Sequence, residues 1–176
     1  MQEELSYPVK ASQIKDRSQE FTICASEAQR AALAARFDLP AISRLEGQFT
    51  LHHERSGTIA ASLAMNAAVT QVCVVTLEPF EAAIQEAVEL RFVPEGAMRY
   101  VLGDDNEADI TPNTLDSPDE IPYADDSLDL GAALAEQLAL SLDPYPKKPG
   151  ATLPDAASDG SANPFAALAT RLNKPS

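Results

Sequence analysis

The sequence has no tryptophan, only two histidines and only two cysteines in 176 residues, and each scarcity narrows what the chain can do. Two thiols, Cys24 and Cys73, are too few for the disulfide framework of a small secreted module, and both stand in apolar, strand-like surroundings that suit buried, reduced side chains. His52 and His53 are the only imidazoles; as neighbours on an extended strand they point to opposite faces and do not readily share an ion. There is no Gly-rich phosphate loop and no Gly-x-Ser-x-Gly elbow. The acidic stretch Asp104-Asp-Asn-Glu-Ala-Asp109 lacks the glycine and the final Glu of an EF-hand loop, which leaves it weak, nonspecific affinity for divalent cations. No apolar run reaches the length of roughly 18 residues that a membrane helix requires. The start, Met1-Gln-Glu-Glu-Leu-Ser-Tyr-Pro, has neither the basic nor the apolar region of a secretory signal, so a cytoplasmic protein is expected. No cofactor, metal or catalytic residue is assigned. The remaining enzymatic alternative is a small hydrolase built on His52 or His53 with nearby carboxylates.

Basic residues are also missing where they would matter most. From Tyr100 to Pro146 there are twelve acids and no Lys or Arg, which leaves fifteen of the 27 acids to face all thirteen bases elsewhere. The formal charge of -14 therefore sits almost entirely on one segment, and the body is near neutral. Such a segment opposes binding to a nucleic-acid backbone, which runs on Lys and Arg displacing counterions. It suits a basic protein partner, or simply keeps a loop solvated.

What is present is a patterned first half. Leu5 to Val9 and Glu20 to Ala25 read as short strands. Ser26, with Gln29 three residues on, is placed to cap an alanine-rich helix from Glu27 to Phe37, which Pro40 stops. Ile42 to Glu54 is extended, Arg55-Ser56-Gly57-Thr58 is a hairpin turn, and Thr58 to Val75 reads as a long strand in which Ile59, Ala61, Leu63, Met65 and Ala67 share one parity. Val72 to Phe80 carries the chain through a turn at Glu78-Pro79 into an antiparallel return over Ala82 to Val93. Asp104 to Asp126 is expected to be a mobile insertion. Asp129 caps a helix whose Leu134, Leu138 and Leu142 form one stripe, and Asp143-Pro144 ends it. The fold class is α+β: an antiparallel sheet, open or curled toward a barrel, with two packed helices. One domain spans 1–150, with the acidic insertion near 103–126. Residues 151–176 read as a flexible linker and a short helix opened by Asn163-Pro164.

Cys73-Val-Val-Thr76-Leu77-Glu78-Pro79 followed by Leu90-Arg-Phe-Val-Pro94 resembles the central motif of the YceD-like family. Leu128-Asp-Leu-Gly, with Ala135 through Gly150, resembles that family's second block, and Asn163-Pro-Phe-Ala-Ala-Leu its C-terminal tag. The resemblance implies a non-enzymatic role in large ribosomal subunit assembly and accumulation of large-subunit rRNA. The implied partner is a basic ribosomal protein or a pre-large-subunit particle, with direct RNA contact left open and no DNA or membrane involved. An acidic adaptor unrelated to ribosomes is the alternative. Many relatives resemble a Cys-x-x-Cys site suited to zinc at the central motif; here Thr76 takes the second place and no cysteine follows Cys73, so a thiolate tetrad is excluded. The expectation is that apolar packing around Cys73, Leu77 and Phe80 replaces it. Two segments are candidate partner contacts. One is the proline-braced arm that presents Tyr145, Lys147 and Lys148, and the other is the tail with Phe165 and Leu168.

Overall fold

The computed structural model describes residues 4–54, 57–97 and 118–152. Seven strands and two α-helices lie among them: β1 (Pro8–Lys10), β2 (Gln19–Cys24), α1 (Glu27–Arg36), β3 (Ala41–His53), β4 (Ile59–Val72), β5 (Pro79–Pro94), β6 (Asp119–Tyr123), β7 (Ser127–Asp129) and α2 (Leu130–Ser141). The main sheet has the order β2-β3-β4-β5-β6, and β1 pairs with β7 in a second, two-stranded sheet. The fold is α+β as expected, and the main sheet is open and not curled into a barrel. Its last pair, β5 with β6, is parallel where an all-antiparallel meander was expected.

Alternation builds the core. Along β4 the buried residues are Ile59, Ala61, Leu63, Met65, Ala67, Val69 and Gln71, so every second side chain enters one face. The residues opposite them on β3, among them Phe49, Leu51 and Leu45, are buried on the same face. A bulge between Ile42 and Arg44 keeps Ile42 in phase with that face. The opposite face carries small and polar residues such as Ser62, Ala64, Gln48 and Thr50.

Helices close the buried face. The capping box on α1 forms as expected: the Gln29 N–H donates to the Ser26 hydroxyl at 3.3 Å, and the Gln29 side chain accepts from the Ser26 N–H at 2.9 Å. Helix α2 is apolar on nearly every side, the composition of a buried helix, and Leu130, Leu134 and Leu138 are fully enclosed. Asp129 caps it, accepting from the Ala132 N–H at 2.9 Å, and also receives the Tyr7 N–H and the Ser6 hydroxyl. That one carboxylate fixes the N-terminal segment over the start of α2. Two glycines permit the approach. A Cβ on Gly47 would stand 2.8 Å from Leu134 Cδ1, and one on Gly131 would stand 2.8 to 2.9 Å from the backbone of Leu5 and Tyr7.

Several expectations shift. The N-terminal strand runs Pro8–Lys10, and Leu5 is a buried plug ahead of it. Cys24 is exposed on the open face of the sheet, not buried. Most of the expected acidic insertion at 103–126 lies outside the described residues, but its final part is ordered: Asp119–Tyr123 is β6, with the Tyr123 hydroxyl donating to the Gly57 carbonyl at 2.7 Å. Asp125 and Asp126 both have positive φ in the tight turn bridged by Ala124 and Ser127, where short polar side chains tolerate the left-handed region. The Ser12 hydroxyl and N–H bind Asp126, and they hold its carboxyl below the usual range. These acids are turn formers and anchors as well as charge. The expected linker and last helix, Phe165 and Leu168 included, fall outside the described residues beyond Thr152.

Gly131→Ala tests the packing of α2. Helix propensity alone favours Ala over Gly by about 1 kcal/mol. Because the new methyl meets backbone rather than a movable side chain, the substitution should instead destabilise by about 1–3 kcal/mol. Urea unfolding of the two proteins measures this, and an unchanged or higher midpoint would contradict the packing described.

Candidate functional site

The two sequence blocks that carry the family resemblance come together at one end of the sheet. The chain leaves β4 at Val72 and turns back at Glu78. The Leu77 N–H donates to the Cys73 carbonyl and the Cys73 N–H to the Glu78 carbonyl, both at 2.9 Å. Leu77 has a φ of 58°, a left-handed conformation that costs a non-glycine residue about 1–2 kcal/mol. Against this turn lies the proline-braced arm that follows α2. The Gln71 side chain donates to the Asp143 carbonyl at 3.1 Å, the Val74 N–H to the Pro146 carbonyl at 2.9 Å, and Lys148 Nζ pairs with Glu78 at 2.9 Å. The arm is thus a packed element, held chiefly by main-chain groups.

At the centre sits Cys73, fully buried. The Lys148 N–H donates to its sulfur at 3.3 Å, and the Thr76 hydroxyl and the N–H groups of Thr76 and Val75 lie close enough to act on it. These donors favour the thiolate, the Thr76 hydroxyl most, and bring the thiol from its ordinary 9.0 down to about 7 against the opposing effect of burial. The donor set does not fit a metal ion: hydroxyl and amide donors act on the sulfur, and the other described thiol, Cys24, is exposed on β2. More widely, no group of three His, Cys, Asp or Glu side chains among the described residues is placed to hold a metal. The expected replacement by apolar packing of Leu77 and Phe80 is therefore corrected. Leu77 is 76% exposed and Phe80 only half-buried, and hydrogen bonds to sulfur do the work instead.

The same end of the molecule gathers exposed apolar surface. Of the six large hydrophobic side chains that are exposed among the described residues, Val72, Val74 and Leu77 are in the turn, Tyr145 in the arm and Leu140 in the last turn of α2; only Tyr7 lies elsewhere. A cleft of about 390 Å³ adjoins them, lined by Phe80, Ala82 and Ile84 of β5 and by Ser141, Asp143 and Lys147 opposite. Of the candidate contact residues, Tyr145 is 73% exposed, Lys147 lines the cleft, and Lys148 is engaged with Glu78 and Cys73. Val74, Leu77 and Leu140 are surface residues that sequence pattern alone does not reveal. For Leu77, apolar type argues for burial, and only the backbone angle of the turn turns it outward. His52 and His53 stand on β3 opposite Ala60 and Ile59, both half-buried and far in sequence from the turn and arm.

The sulfur site predicts a pH effect. A group whose folded value is depressed contributes stability above its unfolded value of 9.0, and loses that contribution as pH falls through about 7. In a Cys24→Ser background, thiolate absorbance should therefore titrate with a midpoint near 7, and Thr76→Val should move the midpoint upward. A midpoint that Thr76→Val leaves unchanged would remove the hydroxyl as the main cause.

No curated protein and no solved structure matches the chain. Residues 61–170 match the family described as "Large ribosomal RNA subunit accumulation protein YceD", a span that takes in most of β4, the Cys73 turn, β5, α2 and the arm. That span is more than half of the sequence, and the chain belongs to the YceD family.

Proposed function

We propose that this protein is a non-enzymatic factor in assembly of the large ribosomal subunit, and that it acts by docking the turn-and-arm end onto a basic protein of the precursor particle. The family ties the chain to accumulation of large-subunit ribosomal RNA. The observation that carries the docking reading is the gathering of exposed apolar side chains where the family's two blocks meet. An exposed leucine held at positive φ is costly to the fold alone, and such cost is commonly kept where a side chain is needed for contact. Aromatic and aliphatic anchors of this kind carry most of the affinity in protein interfaces. Charge supports a basic partner: the formal total is -14, and Tyr100 to Pro146 holds no Lys or Arg to offset its acids. That acidic field accelerates encounter with a basic surface and discourages direct contact with RNA phosphates.

The reading is tested by sedimenting tagged protein from lysate through a gradient at low and moderate salt, with and without RNase. Comigration with large-subunit precursors, abolished by RNase and weakened as salt rises, is the expected result. Leu77→Asp combined with Tyr145→Asp should lower the bound fraction by about tenfold or more, roughly 1.4 kcal/mol, while the unfolding midpoint stays close to that of the parent because both side chains are exposed. Protein that remains at the top of the gradient under every condition would overturn the reading.

A further inference from the structure

The longest unpaired backbone among the described residues is the outer edge of β5. The strand runs from Pro79 to Pro94, and β4 pairs with its inner side from Pro79 through Phe92. On the outer side, β6 pairs only with Leu90–Pro94, so the stretch from Phe80 to Glu89 has no partner strand among the described residues. Alternate N–H and C=O groups along those ten residues, about 33 Å of strand, point away from the sheet. Natural edge strands are usually blunted by lysine, proline, a bulge or shortness. Between Phe80 and Glu89 there is no lysine and no proline, and the β4 register runs through without a shift.

The cleft lies along this edge. Five consecutive residues of β5, Ala82 to Glu86, contribute to its lining. A pocket over one face of a strand would show alternate residues, so a continuous run means that the main chain itself is accessible. Parity then divides the surroundings. Phe80, Ala82 and Ile84 face the α2 side, where Ser141 and Pro146 close the far wall. Glu81 and Glu89 face the open side of the sheet. Around the edge the exposed charges are Glu81, Glu86, Glu89 and Asp143 against Lys147, a net negative border.

We infer that the outer edge of β5 is a strand-acceptor site, which takes an extended protein segment that alternates basic and small apolar residues. The main chain of the segment completes the ladder beyond Phe80–Glu89. Its apolar side chains enter the cleft beside Ala82 and Ile84, and its basic side chains lie toward Glu81 and Glu89. Main-chain bonds supply affinity and the alternating side chains supply selectivity, as in other cases of strand addition. This inference deepens the docking function proposed above and rests on the partner being a basic protein.

The test uses the full chain and an acetylated octapeptide that alternates lysine and valine, with binding followed by fluorescence anisotropy and by amide hydrogen exchange. Exchange in the free protein should be fast at alternate residues of Phe80–Glu89, and the peptide should slow it there. Methylating alternate peptide amides, which removes the donors of one edge while keeping charge and side chains, should weaken binding by about tenfold or more, the loss of one to two main-chain bonds. Glu89→Lys should also weaken it; that glutamate enters no ion pair among the described residues, so the fold should tolerate the change. Three results would overturn the inference: edge amides already protected in the free chain, equal binding of the methylated peptide, or protection on strands other than β5. The assay contains no ribosomal material. Its failure removes the edge site and leaves comigration standing, whereas peptide binding without comigration removes the ribosomal reading and keeps the site.

Discussion

Everything else in this fold depends on the burial of one face of the β3–β4 pair. Twelve cross-strand partners hold the two strands together, and alternation turns Phe49, Leu51, Leu63, Met65 and Val69 to the same side. Each such side chain stabilises the folded state by about 1.5–3 kcal/mol when fully buried, provided that something covers the face. Helix α2 is that cover. Its position is set by two close approaches, Leu134 over Gly47 and Gly131 under the N-terminal segment, and by Asp129, which ties the helix start to Ser6 and Tyr7. Once α2 is fixed, the arm that follows it can end only near the β4 exit. The candidate site is a consequence of that placement.

The Cys73 turn is held by hydrogen bonds within itself and to the arm. In a thiolate–metal site, the cation gathers separate chain segments and neutralises the sulfurs. Here the segments are gathered by the Val74–Pro146 main-chain bond, the Gln71 side chain and the Lys148–Glu78 pair, and hydroxyl and amide donors from both turn and arm act on the sulfur. The Thr76 hydroxyl, three residues after Cys73, favours the thiolate most among these groups. The outward side of the same turn remains apolar, with Val74 and Leu77 unburied, which separates its internal bonding from the surface it offers.

Much of this was legible in the sequence. Periodicity of two placed β4 and the second half of β5, and the Ser26–Gln29 pair and Asp129 marked both helix starts, because these features depend on local spacing alone. Three things were not legible. The strand at Asp119–Tyr123 is masked by its acids and Pro122, and it forms because the parallel ladder to Leu90–Pro94 and the Tyr123–Gly57 bond stabilise it from outside the segment. Exposure of Leu77 depends on a backbone angle, and composition carries no sign of it. The surroundings of Cys73 combine the Thr76 hydroxyl, brought back to the sulfur only by the folding of the turn, with the N–H of Lys148, seventy-five positions away. The Tyr145–Lys148 arm stands out in the sequence by its prolines, but its lysines divide: Lys147 lines the cleft and Lys148 is spent on the turn.

The central claim is that the turn-and-arm end faces the large-subunit precursor. Site-specific photo-crosslinking in cells tests it most directly, with a benzophenone side chain placed at Tyr145 in one protein and, in another, at Tyr7, the one exposed large hydrophobic among the described residues that lies away from this end. The account predicts that the probe at Tyr145 joins to a large-subunit protein identified by mass spectrometry, and that the probe at Tyr7 does not. Crosslinking to the particle from Tyr7 with none from Tyr145 would contradict it.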